Sequence, residues 1–410
     1  MSQYDAIVVG ARCAGSTTAM LLARKGHRVL LLDKAVFPSD TMSTHILHPP
    51  GVAALKRWNL LQQLQDTGCP PIRHYAFDFG PFAIASPLLP SDGTSFALCP
   101  RRTVLDKLLV DAAVEAGAEL QEGCVVDELL IDGGTITGVR GRLKRDGATI
   151  TQRARLVIGA DGMRSRVARS VRAPQYNEKP TLSAGHYAYW SGLPTERLEA
   201  HLRPRRAFAI APTHDGLTVT VMAWPRSDFE ADRGDVEGQF MRAVALAPAL
   251  HERMRGAQRV SRFIGTSDLP NFFRKPYGPG WVLVGDAGYH KDPVTAQGIS
   301  DAFRDAEAMA STLDDVFAGR AAFDAALADY QRARDAAALP MFELTSQFAS
   351  LEEPPPPEMQ QLRAAIHGND EATRGYVSTF AGVVSPAEFY APENVARMLA
   401  NANPKGEARQ

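Results

Sequence analysis

The sequence predicts an α/β fold: a parallel-sheet unit assembled from discontinuous segments, interrupted by a β-rich insertion and followed by a helical C-terminal region. Three observations predict it. The run Tyr4-Asp5-Ala6-Ile7-Val8-Val9 ends at Gly10 and passes into a helix-period stretch, as a buried parallel strand feeding a helix does. Leu156-Val157-Ile158 repeats the pattern, running into Gly159-Ala160-Asp161-Gly162 and a basic helix start. Trp281-Val282-Leu283-Val284 is a third such run, ending in Gly285-Asp286.

Taken in order, Ala14 to Lys25 reads as a helix stopped by Gly26, with small residues Gly15, Ser16 and Ala19 on its early turns so that it can lie close against a sheet. Arg28–Asp33 supplies a second strand ending on an acid. Gly51–Leu61 reads as helix, residues 74–99 as short antiparallel strands, and Arg101–Gly117 as helix again. Ala118–Gly159 holds several strands with turns at Asp132-Gly133-Gly134 and Asp146-Gly147. Residues 180–268 contain longer strands, Ser183–Trp190 and Leu217–Trp224, and a helix near Val236–Leu250. A long helix starts about Gln297, with Ile299, Phe303, Ala306, Ala310, Leu313 and Phe317 on one stripe. The remainder is helical, broken by Pro354-Pro355-Pro356-Pro357, a stiff spacer or turn.

Composition bounds the function. The 410 residues suffice for two or three domains and a full hydrophobic core. Apolar residues at 45% and charged residues at 22% exclude wholesale disorder and fibrous repeats. Lys and Arg number 45 against 46 Asp and Glu, a net charge of −1, so no overall field draws the chain to nucleic acid or anionic lipid. No apolar run approaches the roughly 18 residues of a membrane span, and no secretory signal is visible. Cys13, Cys69, Cys99 and Cys124 form no CxxC pair, which argues against a zinc ribbon or a disulfide framework, and no metal site is expected. A reduced cytoplasmic enzyme, monomeric or homodimeric, is the expectation.

Gly10-Ala11-Arg12-Cys13-Ala14-Gly15 sits between strand and helix, the context in which backbone N–H groups and a helix's positive end meet a pyrophosphate. Asp33 stands 23 residues after Gly10, near the spacing of an acid that hydrogen-bonds ribose hydroxyls. The second glycine of the usual pattern is Arg12, whose side chain should hinder close approach unless its guanidinium itself contacts the phosphates. Cys13 reads as a small side chain packed in the loop.

In order, the Gly10 loop, Asp161-Gly162-Met163-Arg164-Ser165-Arg166 and Gly285-Asp286-Ala287-Gly288 with Pro293 and Gln297-Gly298 resemble the FAD-binding loop, the Asp-Gly motif and the Gly-Asp motif of the class A flavoprotein monooxygenases, the para-hydroxybenzoate hydroxylase-like group. That superfamily includes geranylgeranyl reductases and flavin halogenases. The resemblance covers most of residues 1–340 and implies a Rossmann-like FAD-binding domain from 1–73, 100–175 and 270–335. A β-rich substrate domain from 74–99 and 176–269 and a helical region from 336–410 complete the expected layout.

The resemblance also implies site residues. Asp286 would hold the ribityl chain, Asp33 the adenosine ribose, and Arg102 the polar backbone of FAD. Asp161 and Gly162 would support FAD and nicotinamide use, while Pro293, Gln297 and Gly298 would line the isoalloxazine. Gly10, Arg12, Cys13, Ala14, Gly15, Lys34, Ser43, Thr44, Val126, Gly285 and Ile299 complete the expected cofactor shell. Two departures stand out: His290 is displaced by one position, and Ala296 stands where glycine is usual.

The implied activity is that of an FAD-dependent monooxygenase, in which a C4a-hydroperoxyflavin hydroxylates or epoxidises an aromatic or polyunsaturated small molecule. NADH or NADPH would bind transiently as reductant, or a partner flavin reductase would supply reduced flavin. Ten Lys and Arg between Arg140 and Arg172 read as a landing surface for nicotinamide phosphates or as solvated strand edges. His45 and His48 are the candidate proton shuttles, and Tyr187, Tyr189, Trp190, Met222 and Trp224 the candidate pocket residues. A halogenase would need a catalytic lysine and a Trp-x-Trp-x-Ile-Pro segment, a spacing that Trp58, Trp190, Trp224 and Trp281 never show. A geranylgeranyl-reductase-like alkene reductase and a non-catalytic flavin-binding protein are the alternatives.

Overall fold

The computed structural model describes residues 4–231, 234–351 and 355–401. Its first sheet runs, edge to edge, Tyr277–Gly278, Trp281–Leu283, Thr149–Gly159, Tyr4–Val9, Val29–Leu32 and Glu119–Gln121. The three glycine-terminated strands are therefore adjacent, and they are parallel: Ala6 pairs with Leu156, and Val157 with Trp281. Parallel neighbours end at the same edge, so the turns at Gly10, Ala160 and Gly285 emerge side by side. Cys124–Asp132 and Thr135–Leu143 form an antiparallel ribbon that joins this sheet through Thr149–Gly159.

The helices Cys13–Arg24 and Gly298–Phe317 cover one face of the sheet, burying Ala19 and Met20 with Phe303, Met309, Ala310 and Leu313 in one core. The second sheet orders Gln258–Arg259, Ser183–Ser191, Thr218–Pro225, Arg206–Pro212, Leu198–Arg203, His74–Asp78 and Ala83–Pro87. Alternation gives it two cores. One holds Tyr75, Phe77, Tyr187, Tyr189 and Val219; the other holds Trp190, Phe208, Met222 and Trp224 under the helix Val236–Val244.

The C-terminal helices Pro357–His367 and Asp370–Phe380 pack into the first of these cores through Leu362, Ile366, Tyr376 and Phe380. A small third sheet pairs Gln175–Lys179, Asn271–Arg274 and Tyr289–His290.

Some boundaries differ from expectation. The helix expected over Gly51–Leu61 is Pro49–Arg57, and a second helix, Leu61–Asp66, follows after Asn59 turns the chain at φ 63°. The helix expected near Val236–Leu250 breaks after Val244 and restarts at Pro248, which cannot donate a helical N–H. The helix Phe323–Ala349 runs unbroken past the expected boundary at 335/336. Of the four prolines, Pro354 lies outside the described residues, and Pro357 opens a helix as proline readily does.

Candidate active site

Glycines bring the three turns into contact. Gly10 has φ +105°, and a Cβ on it would meet the carbonyl oxygen of Ala160 at 2.4 Å. A Cβ on Gly15 would stand 1.7 Å from the oxygen of Gly10. Gly285, at φ +59°, would place its Cβ 2.7 Å from that of Ala14. Only hydrogen fits at these positions, so the first loop touches both of the others.

Arg12 is held by protein partners. Its guanidinium reaches the carboxylate of the fully buried Asp106 at 2.5 Å and donates to the carbonyls of Ser39 and Asp40. Arg102 binds Asp106 as well, through Nε at 3.0 Å and Nη2 at 2.8 Å. One carboxylate thus clamps both cations, and it also accepts from Cys13 Sγ, whose thiol burial pushes up to about 12. Cys13 is packing, not redox chemistry. With Arg12 drawn aside, the N–H groups of Cys13, Ala14 and Gly15 have no acceptor among the described residues, and no acid stands in the first helical turn. That donor set suits a pyrophosphate.

Asp33 accepts from the main-chain N–H of Ala11 and of Ala35, both at 2.7 Å, which fixes the carboxylate at the end of its strand. Lys34 is exposed beside it, and Val126 lies buried with Leu32 in the neighbouring core. Asp161 instead caps its own loop: it accepts from Ser165 Oγ and from the N–H of Arg166 at 2.6 Å, with Gly162 at φ +80°. Asp286 is exposed at the mouth of the three turns, near enough to Arg102 to raise the guanidinium's proton affinity.

Gly298 is exposed at the N-terminus of the long helix, with Ile299 buried behind it. Pro293 is half-buried, and Ala296 adopts the left-handed region at φ 55°. Gln297 points away, its amide donating 2.8 Å to the carbonyl of Phe380. His290, the displaced histidine, lies on the third sheet and donates to the carbonyl of Pro270, just before the strand Asn271–Arg274.

Neither candidate histidine titrates near neutrality. Burial pushes His48 down to about 4 and His45 down to about 3. His48 Nε2 lies 3.1 Å from the carbonyl of Thr295, which can only accept; Nδ1 therefore accepts from Tyr75 Oη at 2.8 Å. His45 sits at φ 65° after Ser43, whose Oγ accepts its N–H, and bonds Tyr189 Oη at 2.8 Å. Desolvation pushes both rings toward the neutral form, away from the near-neutral titration expected of a proton shuttle.

His48 and Thr44 line an apolar cavity, partly open to solvent, against Tyr75, Phe77, Phe380 and the turn Pro293–Ala296. Tyr187 and Tyr189 lie on the same face of the sheet, around His45. Trp190, Met222 and Trp224 do not share that face. The strand alternation turns them into the opposite core, and their expected place in the pocket is corrected. Residues the sequence reading passed over line it instead: Tyr75, Thr295, Phe380 and the alternate alanines Ala207, Ala209 and Ala211. The run Arg206-Ala-Phe-Ala-Ile-Ala carried that signal.

Half of the basic stretch is neutralised: Arg140, Arg142, Arg145, Arg155 and Arg164 pair with Glu128, Asp127, Asp146, Asp5 and Asp268. The four cysteines are free and buried. Among the described residues no group of His, Cys, Asp and Glu is arranged to hold a metal ion, and no helix is long and apolar enough to cross a membrane.

The family model of the FAD binding domain matches residues 3–345. The chain belongs to this FAD-binding family. As a family member it is an FAD-dependent oxidoreductase, and its curated relatives have related names. A digeranylgeranylglycerophospholipid reductase of Methanopyrus kandleri is 28% identical over 72% of this chain and 73% of its own length. A tryptophan 2-halogenase of Chondromyces crocatus is 24% identical over 81% of this chain and 65% of its own. Among solved structures, a flavoprotein/dehydrogenase from Cytophaga hutchinsonii superposes with TM-score 0.81 at 18% identity, covering 98% of this chain and 100% of that one. PqsL of Pseudomonas aeruginosa, in complex with 2-aminobenzoylacetate, gives TM-score 0.70 at 22% identity, covering 93% and 99%.

Proposed function

We propose that this FAD-binding protein is a monooxygenase that hydroxylates or epoxidises an aromatic or polyunsaturated small molecule. The observation that carries the reading is the apolar cavity whose wall includes Pro293–Ala296, the turn leading into the exposed helix N-terminus at Gly298. An apolar chamber beside that N-terminus suits oxygen transfer, which water would quench.

In this reading Cys13, Ala14 and Gly15 present N–H groups to the pyrophosphate and Gly10 makes the tight turn, with Arg12 and the Cys13 side chain shaping the loop through Asp106. Asp33, Lys34 and Val126 hold the adenosine end, and Arg102, Asp286 and Gly285 the ribityl chain. Ser43, Thr44, Pro293, Gly298 and Ile299 border the ring, with Asp161 and Gly162 bracing the adjoining loop and Gln297 bracing from behind. Bound FAD supplies electron transfer and the reaction with dioxygen. The helix N-terminus at Gly298 stabilises negative charge on the reduced ring by about 0.3–2 kcal/mol. His48 and Tyr75 hold the substrate rather than shuttling its proton. Segments 1–73, 100–175 and 270–335 serve the cofactor, and 74–99 with 176–269 the substrate. NADH, NADPH or a partner flavin reductase supplies the electrons.

No lysine is among the residues lining the cavity, which disfavours a halogenase. The relatives named as lipid reductases favour alkene reduction as the second reading. Anaerobic mixing of the holoprotein with NADH or NADPH, with candidate substrates present, tests the proposal. Flavin bleaching followed by substrate-dependent oxygen uptake supports it; a saturated product without oxygen uptake supports the second reading. Bound FAD that neither donor nor any flavin reductase reduces would mark a non-catalytic binder.

A further inference from the structure

The cavity's floor and its chemistry specify more than its position. The strands Leu198–Arg203, Arg206–Pro212 and Thr218–Pro225 form the floor, and register aligns Ala200 with Ala209 and Ala209 with Val221. On this face stand Ala200, Ala207, Ala209, Ala211, Val221 and Ala223; on the other face the same strands carry Phe208, Ile210, Met222 and Trp224. Ala200, Ala207, Ala209 and Val221 remain partly exposed although helices and loops cover this face, so the space above them is unfilled by protein.

Phe77, paired beside Ala200, walls one edge of the floor, and on the other edge the sheet continues into the strand of Tyr187, which pairs with Val221. Four strand steps from Ala207 to Ala211 make it roughly 13 Å long, and three strands make it roughly 10 Å wide. Those dimensions suit a fused aromatic system of two or three rings, or a chain of similar length, lying flat.

The lining holds no Lys, Arg, Asp or Glu. His48 is neutral, with both ring nitrogens engaged. Tyr75 Oη gives its proton to His48 Nδ1 and keeps a lone pair, so the Tyr75 end of the floor accepts one hydrogen bond from a ligand O–H or N–H. A carboxylate here would meet no cation and would lose its hydration.

We infer, as a refinement of the proposed function, that the cavity selects an uncharged, flat, largely apolar substrate with one hydrogen-bond donor, and that Ala209 sets the thickness it admits. The substrate lies on the alanine floor with its hydroxyl or amine toward Tyr75. Ala209, flanked by Ala200 and Val221, is the central tile, and any larger side chain there takes up the ligand's space.

The test is calorimetric titration of the FAD-loaded protein with 2-naphthol, with naphthalene and with 6-hydroxy-2-naphthoate. The expected order is 2-naphthol tightest, with the carboxylate at least tenfold weaker and naphthalene between them. Ala209→Phe weakens 2-naphthol at least tenfold with FAD content unchanged, and Ala209→Val weakens it less, which keeps the claim testable if the phenylalanine variant folds poorly. Equal or tighter binding of the carboxylate, no binding of 2-naphthol, or indifference to both substitutions overturns the inference. Selective binding without oxygenation would sink the monooxygenase reading alone; oxygenation of a carboxylated aromatic as readily as its neutral counterpart would sink the inference alone.

Discussion

The side-chain amide of Gln297 donates to the main-chain carbonyl of Phe380 across 2.8 Å, joining the turn at the head of the long helix to the end of the C-terminal helix Asp370–Phe380. Both residues are buried, and Phe380 lines the cavity. The C-terminal helices are therefore pinned to the segment expected to face the flavin. Gln297→Leu leaves that carbonyl without its donor and destabilises the contact by about 1–3 kcal/mol. Amide hydrogen exchange should quicken across Asp370–Phe380 and stay unchanged in Tyr4–Val9. Uniform protection in the variant would mean that the apolar packing of Tyr376 and Phe380 alone holds the cap.

Ala296 stands in the left-handed region at φ 55°, where an L side chain costs about 1 kcal/mol. Ala296→Gly should raise stability by a similar amount in urea unfolding of the holoprotein. A loss instead would show that the methyl group's contact with the surrounding core outweighs the backbone strain.

Acid should loosen the pocket before it unfolds the rest. Burial lowers His48 to about 4 in the folded chain, while the unfolded chain takes up its proton near 6.5. The unfolded state then binds more protons throughout the interval between, so stability falls as pH drops from about 6.5 toward 4. Between pH 7 and pH 5 the loss from this ring is about 2 kcal/mol. His48→Gln keeps a donor for Thr295 and removes the titration, so its urea midpoint should depend less on pH than the parent's. An identical pH dependence in both proteins would show that His48 is not buried in neutral form.

Asp286 is exposed at the mouth of the three turns, so its removal should spare the fold and weaken FAD. Losing a charge-assisted hydrogen bond of about 1.5–3 kcal/mol predicts roughly 10- to 100-fold weaker binding for Asp286→Ala. The flavin absorbance that remains after gel filtration reads this directly. Full retention of the yellow colour would remove Asp286 from the site.

Much of this arrangement was legible in the chain because it is local. Each strand that ends in a glycine turn declares itself within about ten residues, and three such strands in one parallel sheet must open on one edge. What was not legible is what depends on distance or on desolvation. Nothing near Gln297 announces Phe380, which lies 83 residues later. His48 reads as a shuttle until burial and the Thr295 carbonyl fix it as neutral. Arg12 reads as an obstacle to close approach or as a phosphate contact, and nothing near it in the sequence announces Asp106, the partner that the helix Arg102–Glu115 brings to it. Trp190 and Tyr189 are neighbours in sequence, and strand parity alone sends them to opposite cores. That parity was available in the sequence, as was the alternation of alanine with large residues over 206–212.

Turnover under isotopically labelled dioxygen tests the central claim most directly. The FAD-loaded protein is supplied with NADH or NADPH, with and without a flavin reductase, and offered neutral polycyclic phenols under ¹⁸O₂. One labelled oxygen atom per product molecule, formed in step with oxygen uptake, is the predicted outcome. Product carrying no label, or a reduced double bond formed equally well without oxygen, would contradict the monooxygenase account.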